Sequence, residues 1–370
     1  MDVDNDNTSA QRHMRSLLQR IATGPALSKD ISTEEARLGM DTVLRGQVNP
    51  VQAGLFLIAL RMKRETNDEV LGIQQALLDE TQHIETDVDE LVELADPFNG
   101  YTRGLPMSPF LPAVLAACGV PAVCHGVESA GPKHGITHHK VLFAAGENVG
   151  MSMMEAASRV SNPAIGWAYL DQSVTCPKLY QLLELRDLMV KRTCLSTIEV
   201  ALKPLNARHR THLVTGFVHK AYPPVYTMLA RNAGYQSALI VRGVEGGIIP
   251  SLQQPSKAIH FSGGKSDHEW PLEPGMVGIS EADCRAVPLP EQQEHDGGGG
   301  KSAVVTDKLA KATAERGMAA LRGVPGLAYD SLVYSGSLIL AHLGRGSPDQ
   351  CADSVRHVLD RELAAARIGI

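Results

Sequence analysis

Four histidines fall within fifteen residues, His125, His134, His138 and His139, and glycines stand among them throughout the stretch Asp96–Gly146, DPFNGYTRGLPMSPFLPAVLAACGVPAVCHGVESAGPKHGITHHKVLFAAG. A loop histidine that follows a strand can donate to a phosphate or orient a substrate near neutral pH. His125, followed by Gly126, stands in that setting. Loop amides and helix N-termini together make an anion site. The His134/His138 spacing would put both rings on one helix face, as in metal sites. No carboxylate or cysteine stands at ligand spacing beside them, so no metal site is assigned. Gly297–Ser302 (GGGGKS) resembles a phosphate-binding P-loop only superficially. The pattern needs glycine at His295 and a preceding apolar strand, and both are missing.

These residues need a scaffold, and the chain alternates in a way that supplies one. Residues 8–83 read as helices only: an amphipathic Arg12–Ile21, a capping box at Ser32 and Glu35, Pro50 at a helix start, and Thr66 as a cap. From about residue 90 short β-rich runs alternate with helices: Leu91–Phe98, Ala122–His125, Ile165–Leu170, His212–His219, Ala238–Arg242 and Lys257–Phe261. One helix is expected over Pro177–Lys191, another over Pro223–Ala233, and three near 304–322, 329–343 and 347–366. The fold class is therefore α/β: a small all-helical N-terminal domain (1–88, with part of 177–192), then a larger doubly wound, mostly parallel domain (89–370). Residues 288–302, rich in Pro, Gln and Gly, are expected to form a mobile loop. The helix over 51–61 is apolar nearly all round, which four helices cannot cover alone, so a homodimer through this lobe is expected.

Composition narrows the function classes. No run of about 18 apolar residues exists, so no membrane partner is expected. The start, MDVDNDNTSA, is acidic and polar, unlike a secretory signal, and is read as a frayed tail. The six cysteines lie far apart with no CxxC pair, which fits reduced thiols and a cytoplasmic setting. Net charge is −6, so nothing chain-wide points to nucleic acid. Locally, residues 1–99 carry 18 acids against 9 Lys or Arg, and 178–242 carry 10 Lys or Arg against 3 acids. A basic lobe can hold phosphates or a nucleic-acid backbone.

Ala117-Cys118-Gly119-Val120-Pro121 and His125-Gly126 resemble the phosphate-binding core of the anthranilate phosphoribosyltransferase family. There a GTGGD loop follows the first strand and a KHGNR loop the second. The resemblance covers nearly the whole chain and implies a nucleoside phosphorylase/phosphoribosyltransferase-like fold with a homodimer through the helical lobe. It places Asn99, Gly100 and Thr102 in the first loop, His125 and Gly126 in the second. Arg186-Asp187-Leu188-Met189-Val190-Lys191-Arg192-Thr193 is similar to the family's RxxLGxRT, whose first arginine contacts the acceptor's carboxylate. Arg186 is thus expected to face the cleft and bind an anion, with Arg192 bracing the helix end or a neighbouring strand.

The departures from the family pattern are coordinated. The first loop reads Asn99-Gly100-Tyr101-Thr102-Arg103, and Glu128 stands where the second has arginine. Arg242–Ile249 is similar to HGxDGLDE, but Ile248-Ile249 replace the magnesium-binding Asp-Glu and Glu245 replaces the earlier aspartate. Isoleucines cannot coordinate magnesium, so no cofactor is assigned and magnesium is not expected at that site. All three changes fall on phosphoribosyl pyrophosphate and its metal, as expected of a divergent paralogue. The expected ligand is a phosphorylated small molecule or nucleotide. Two readings follow: a glycosyl- or phosphoribosyltransferase with a non-standard donor or acceptor, or a non-catalytic binder of nucleotide or nucleic acid, a role found in one branch of the family.

Overall fold

A computed structural model describes residues 2–24, 26–280, 282–290 and 303–369. The glycine-rich Gly297–Ser302 and most of the loop expected at 288–302 lie outside the described residues.

Four helices open the chain: α1 Asp2–Ile21, α2 Thr33–Leu44, α3 Pro50–Lys63 and α4 Asn67–Glu80. Helix α1 begins at Asp2, so the acidic stretch expected to fray is drawn into helix. Ser32 and Thr66 form complete capping boxes with Glu35 and Glu69, and the Asn49 side chain caps α3 ahead of Pro50. Each cap satisfies backbone N–H groups that a helix start leaves without partners. Met14, Leu17, Met40, Phe56, Leu57, Leu60, Ile73 and Leu77 form the bundle core. On α3 the other side stays open, with Val51, Leu55 and Met62 exposed.

Nine strands follow among the described residues: β1 Ile84–Glu85, β2 Glu90–Ala95, β3 Ala122–Gly126, β4 Trp167–Asp171, β5 Leu205–Asn206, β6 Arg210–Gly216, β7 Ser237–Val241, β8 Ser256–Ser262 and β9 His268–Leu272. Strands β1 and β5 pair with each other; the other seven form one sheet in the order β4-β3-β2-β6-β7-β8-β9. Pairing is parallel from β4 to β7 and antiparallel at β8 and β9. The chain runs outward from β2 to β4 and then resumes on β2's other side at β6. That reversal makes the β2/β6 boundary the switch point of the sheet, where open α/β sheets leave a crevice.

The remaining helices are α5 Leu111–Ala117, α6 His138–Ala144, α7 Met153–Ser161, α8 Gln172–Thr175, α9 Pro177–Tyr180, α10 Leu183–Leu188, α11 Leu195–Ile198, α12 Pro223–Asn232, α13 Ala303–Leu321, α14 Leu327–His342 and α15 Pro348–Asp360. Helices α5, α14 and α15 share one core with one face of the sheet, while α12 and the bundle share another with the opposite face. The larger domain is a doubly wound, mostly parallel α/β layer structure, as expected.

Two segments differ from the sequence reading. The helix expected over 177–191 is two short pieces, α9 and α10, and the chain turns away at Val190, whose φ is 59°. Strand β9 went unread. Its HEWPL sequence is polar and holds Pro271, which suits an edge strand and lacks the usual β-rich pattern.

Candidate anion site at the sheet switch point

The crevice at the C-terminal ends of β2, β6 and β7 contains two adjoining cavities, of about 250 and 990 Å³. The smaller lies towards the bundle, between Phe98, Asn99, Tyr222 and Tyr226, and reaches Arg61 of α3. The larger opens past Thr102 and Arg103 towards Arg242 and Arg285. Arg192, Phe217, Val218 and Glu245 belong to both walls.

The floor is built on Asp96, just past β2. It is buried and accepts from Tyr101 Oη at 2.6 Å and the Ile248 N–H at 2.9 Å, with Ser108 Oγ and His138 Nε2 also bonded to it. Burial alone would raise its carboxyl, but His138, Ser108 and Tyr101 together hold it below the usual aspartate range. A buried carboxylate so surrounded is a structural anchor for two loops at once.

The loops pack backbone to backbone. Tyr101 and Ile136 exchange N–H···O bonds, and a Cβ at Gly100 would meet the Ile136 carbonyl at 2.6 Å. On the other side a Cβ at Gly247 would meet Tyr101 Oη at 1.6 Å. Only glycine allows such approaches.

These contacts set Glu245 against the loop after β2. Its Oε1 accepts from the Arg103 N–H at 2.7 Å, and its Oε2 from the Thr102 N–H at 3.1 Å and Oγ1 at 3.3 Å. Lys133 Nζ lies 2.6 Å from Oε2. Burial holds the Lys133 pKa below the ordinary lysine value, with Glu245 opposing that shift. The Glu245 side chain is only 6% exposed.

Asn99, Thr102 and Glu245 line the cavities, and Gly100 sits behind them as packing. His125, Gly126 and Arg186 do not line either one. His125 is buried, with Nε2 2.6 Å from Glu93 Oε1 and not in an aligned hydrogen bond, and its ring packs edge-on to Phe98. Gly126 pairs with Asp171 inside the sheet. Arg186 is buried in a fork with Glu199, Nη1–Oε2 2.7 Å and Nη2–Oε1 2.8 Å. Its expected place facing the cleft is corrected: the helix ends at Leu188, and the turn at Val190 carries Arg192 to the cavity wall instead. With the Asn99 amide oriented to satisfy its neighbours, its oxygen accepts from Arg192 Nε at 2.9 Å and Nη2 at 3.0 Å.

Sequence reasoning missed the cations around the larger cavity. Arg103, Arg242 and Arg285 are exposed there beside Arg192, with Lys133 half-buried. Arg103 and Arg242 sat inside motifs already singled out; nothing in the sequence marked Arg285. The three clustered histidines diverge: His134 pairs with Asp187, His138 with Asp96 and His139 with Asp171.

The donor set does not suit magnesium at the family's position. Ile248 is buried and donates its N–H to Asp96, Ile249 is partly buried, and both nearby carboxylates already hold hydrogen-bond donors.

Residues 15–81 match the model of the glycosyl transferase family helical bundle domain. The anthranilate phosphoribosyltransferase of Stutzerimonas stutzeri is 26% identical over 292 residues, 79% of this chain and 80% of its own length. Anthranilate phosphoribosyltransferase from Thermus thermophilus superposes with a TM-score of 0.74 at 18% identity, covering 96% of this chain and 97% of its own. The Saccharomyces cerevisiae enzyme in complex with PRPP and Mg gives 0.72 at 14% identity, covering 96% of each chain. No helix among the described residues is long and apolar enough to cross a membrane. The bundle match and the sequence relatives support the anthranilate phosphoribosyltransferase family, and the solved structures show that this chain has its fold.

Proposed function

We propose that the protein binds a phosphorylated ligand in this crevice without magnesium, and that any transfer of a ribosyl or other glycosyl group uses a donor or acceptor other than the family's standard pair. The supporting observation is the lining of the larger cavity. Arg103, Lys133, Arg192, Arg242 and Arg285 face it against two acids, Glu245 and Asp283. Arginines bind phosphate oxygens through paired N–H donors. Ile248 and Ile249 remove the acidic pair through which a metal would reach a pyrophosphate. The chain is on this reading a divergent paralogue working in the cytoplasm.

A second reading is a non-catalytic binder of nucleotide or nucleic acid. It is favoured by the exposure of four of those cations along an open cavity, with the half-buried Tyr222 in the wall of the adjoining one, since single strands are held by cationic tracks with aromatic platforms.

Two copies pair through the helical lobe. Leu185 and Met189 pack on Gly54 of α3, and Val51 and Leu55 on α3 and Leu188 and Val190 on the segment packed against it are exposed. An apolar face of this kind marks an interaction surface.

Thermal-shift titration with phosphorylated sugars, nucleotides and a short oligonucleotide tests both readings. A sugar phosphate that stabilises the wild type but not Arg192→Ala supports the first. A shift with a nucleotide or the oligonucleotide but with no sugar phosphate supports the second, and no shift with any of them overturns both.

A further inference from the structure

We infer that the Glu245 carboxylate is a built-in stopper of the anion cradle after β2, so that an incoming anion binds there only by displacing it. This rests on the reading of the crevice as a phosphate-binding site and adds how that site is controlled.

The cradle consists of the Thr102 and Arg103 N–H groups, the Thr102 hydroxyl and the Lys133 ammonium. Consecutive backbone N–H groups beside a cation are the donor set of a phosphate site. All four donors converge on one carboxylate, which belongs to a loop 143 residues further along the chain. A phosphate oxygen would use the same donors, so the two occupants exclude each other. Two negative groups cannot share so small a site without strong repulsion.

The placement of Glu245 argues for a movable plug over a fixed tie. It lies on the border of both cavities, so its departure would join them at the cradle. Its backbone is in the left-handed region, φ 54° and ψ 15°, which a residue with a Cβ occupies at a steric cost. By contrast, Asp96 below is held by groups on four separate residues and lines neither cavity. The crevice thus has a fixed acidic anchor beneath and a displaceable acid above it.

An internal competitor lowers apparent affinity by the fraction of molecules in which it has let go. The test is calorimetric titration of the full chain with inorganic pyrophosphate, metal-free, comparing wild type with Glu245→Gln. Glutamine keeps the shape and loses the charge. The variant is expected to bind at least tenfold tighter than wild type. As a check that needs no substitution, pyrophosphate added to wild type should speed hydrogen exchange across 243–247 while 102–103 stay protected. Equal or weaker binding by the variant, or unchanged exchange at 243–247 in pyrophosphate-saturated wild type, overturns the stopper. If the stopper fails while Arg192→Ala still weakens binding of a phosphorylated ligand, the crevice reading stands without it. If neither protein binds pyrophosphate or any phosphorylated ligand, both readings fall.

Discussion

The guanidinium of Arg186 and the carboxylate of Glu199 close on each other as a two-pronged fork, at 2.7 and 2.8 Å, within the core that joins the bundle to the sheet. Gln172 Nε2 also donates to Glu199, at 3.2 Å. Burial works against the charged guanidinium, and Glu199 more than offsets it, so its pKa lies above the ordinary arginine value. Removing one member leaves an uncompensated buried charge. Arg186→Ala should therefore lose about 3–5 kcal/mol of stability, read as a lower urea midpoint. The double variant Arg186→Ala/Glu199→Ala should recover part of that loss. An Arg186→Ala protein as stable as wild type would remove the pair from the core's support.

Arg192 has the opposite profile. It is exposed, touches only Asn99 among the contacts described, and borders both cavities. Arg192→Ala should weaken a phosphorylated ligand by about 1.5–3 kcal/mol, the range for charged hydrogen bonds, with an unfolding midpoint close to wild type. Calorimetry paired with urea denaturation separates the two effects. A large stability loss with unchanged affinity would return the two arginines to the roles that the sequence suggested.

That exchange of roles shows where sequence reading stops. Both arginines occupy family-like positions, and no glycine or proline interrupts 178–191 to signal a break. The turn depends on Val190 in a left-handed conformation that a β-branched residue rarely takes. By contrast, helix starts at Ser32 and Thr66 were legible because caps are local chemistry. Six strands of the sheet were legible because apolar runs bounded by turns are local too. The Asn99–Thr102 loop and Glu245 were identified through their motifs, but their mutual contact spans 143 residues and had no local signature. His125 was misplaced for a similar reason. Its partner Glu93 lies in the neighbouring strand, and the two side chains meet in a buried contact.

Asp96 should govern acid sensitivity. Its folded-state pKa is below the ordinary value of 3.8, so its contribution is fully present above that range and is lost as pH falls through the lower, folded value. Between pH 5 and 2, wild-type stability should therefore decline more steeply than that of Asp96→Asn, which is expected to be the less stable protein at pH 7. Parallel declines in urea midpoint would show that Asp96 is not the titrating anchor.

The helical lobe should hold two chains together. Light scattering after size exclusion should give twice the chain mass of 39.7 kDa. The double variant Val51→Glu/Met62→Glu alters two side chains largely exposed in the single chain, so it should shift the protein to monomer without unfolding it. A wild-type monomer at all concentrations would contradict the pairing.

The most direct test of magnesium-free phosphate recognition is a calorimetric titration of wild-type protein with phosphoribosyl pyrophosphate, with magnesium and with chelator. Ile248 and Ile249 offer no carboxylate to the metal, while the arginines of the larger cavity remain available to phosphate in either buffer. The expected result is the same weak binding or none in both buffers, alongside a phosphorylated ligand whose affinity chelator does not change. Saturable micromolar binding of phosphoribosyl pyrophosphate that appears with magnesium and vanishes with chelator would contradict it.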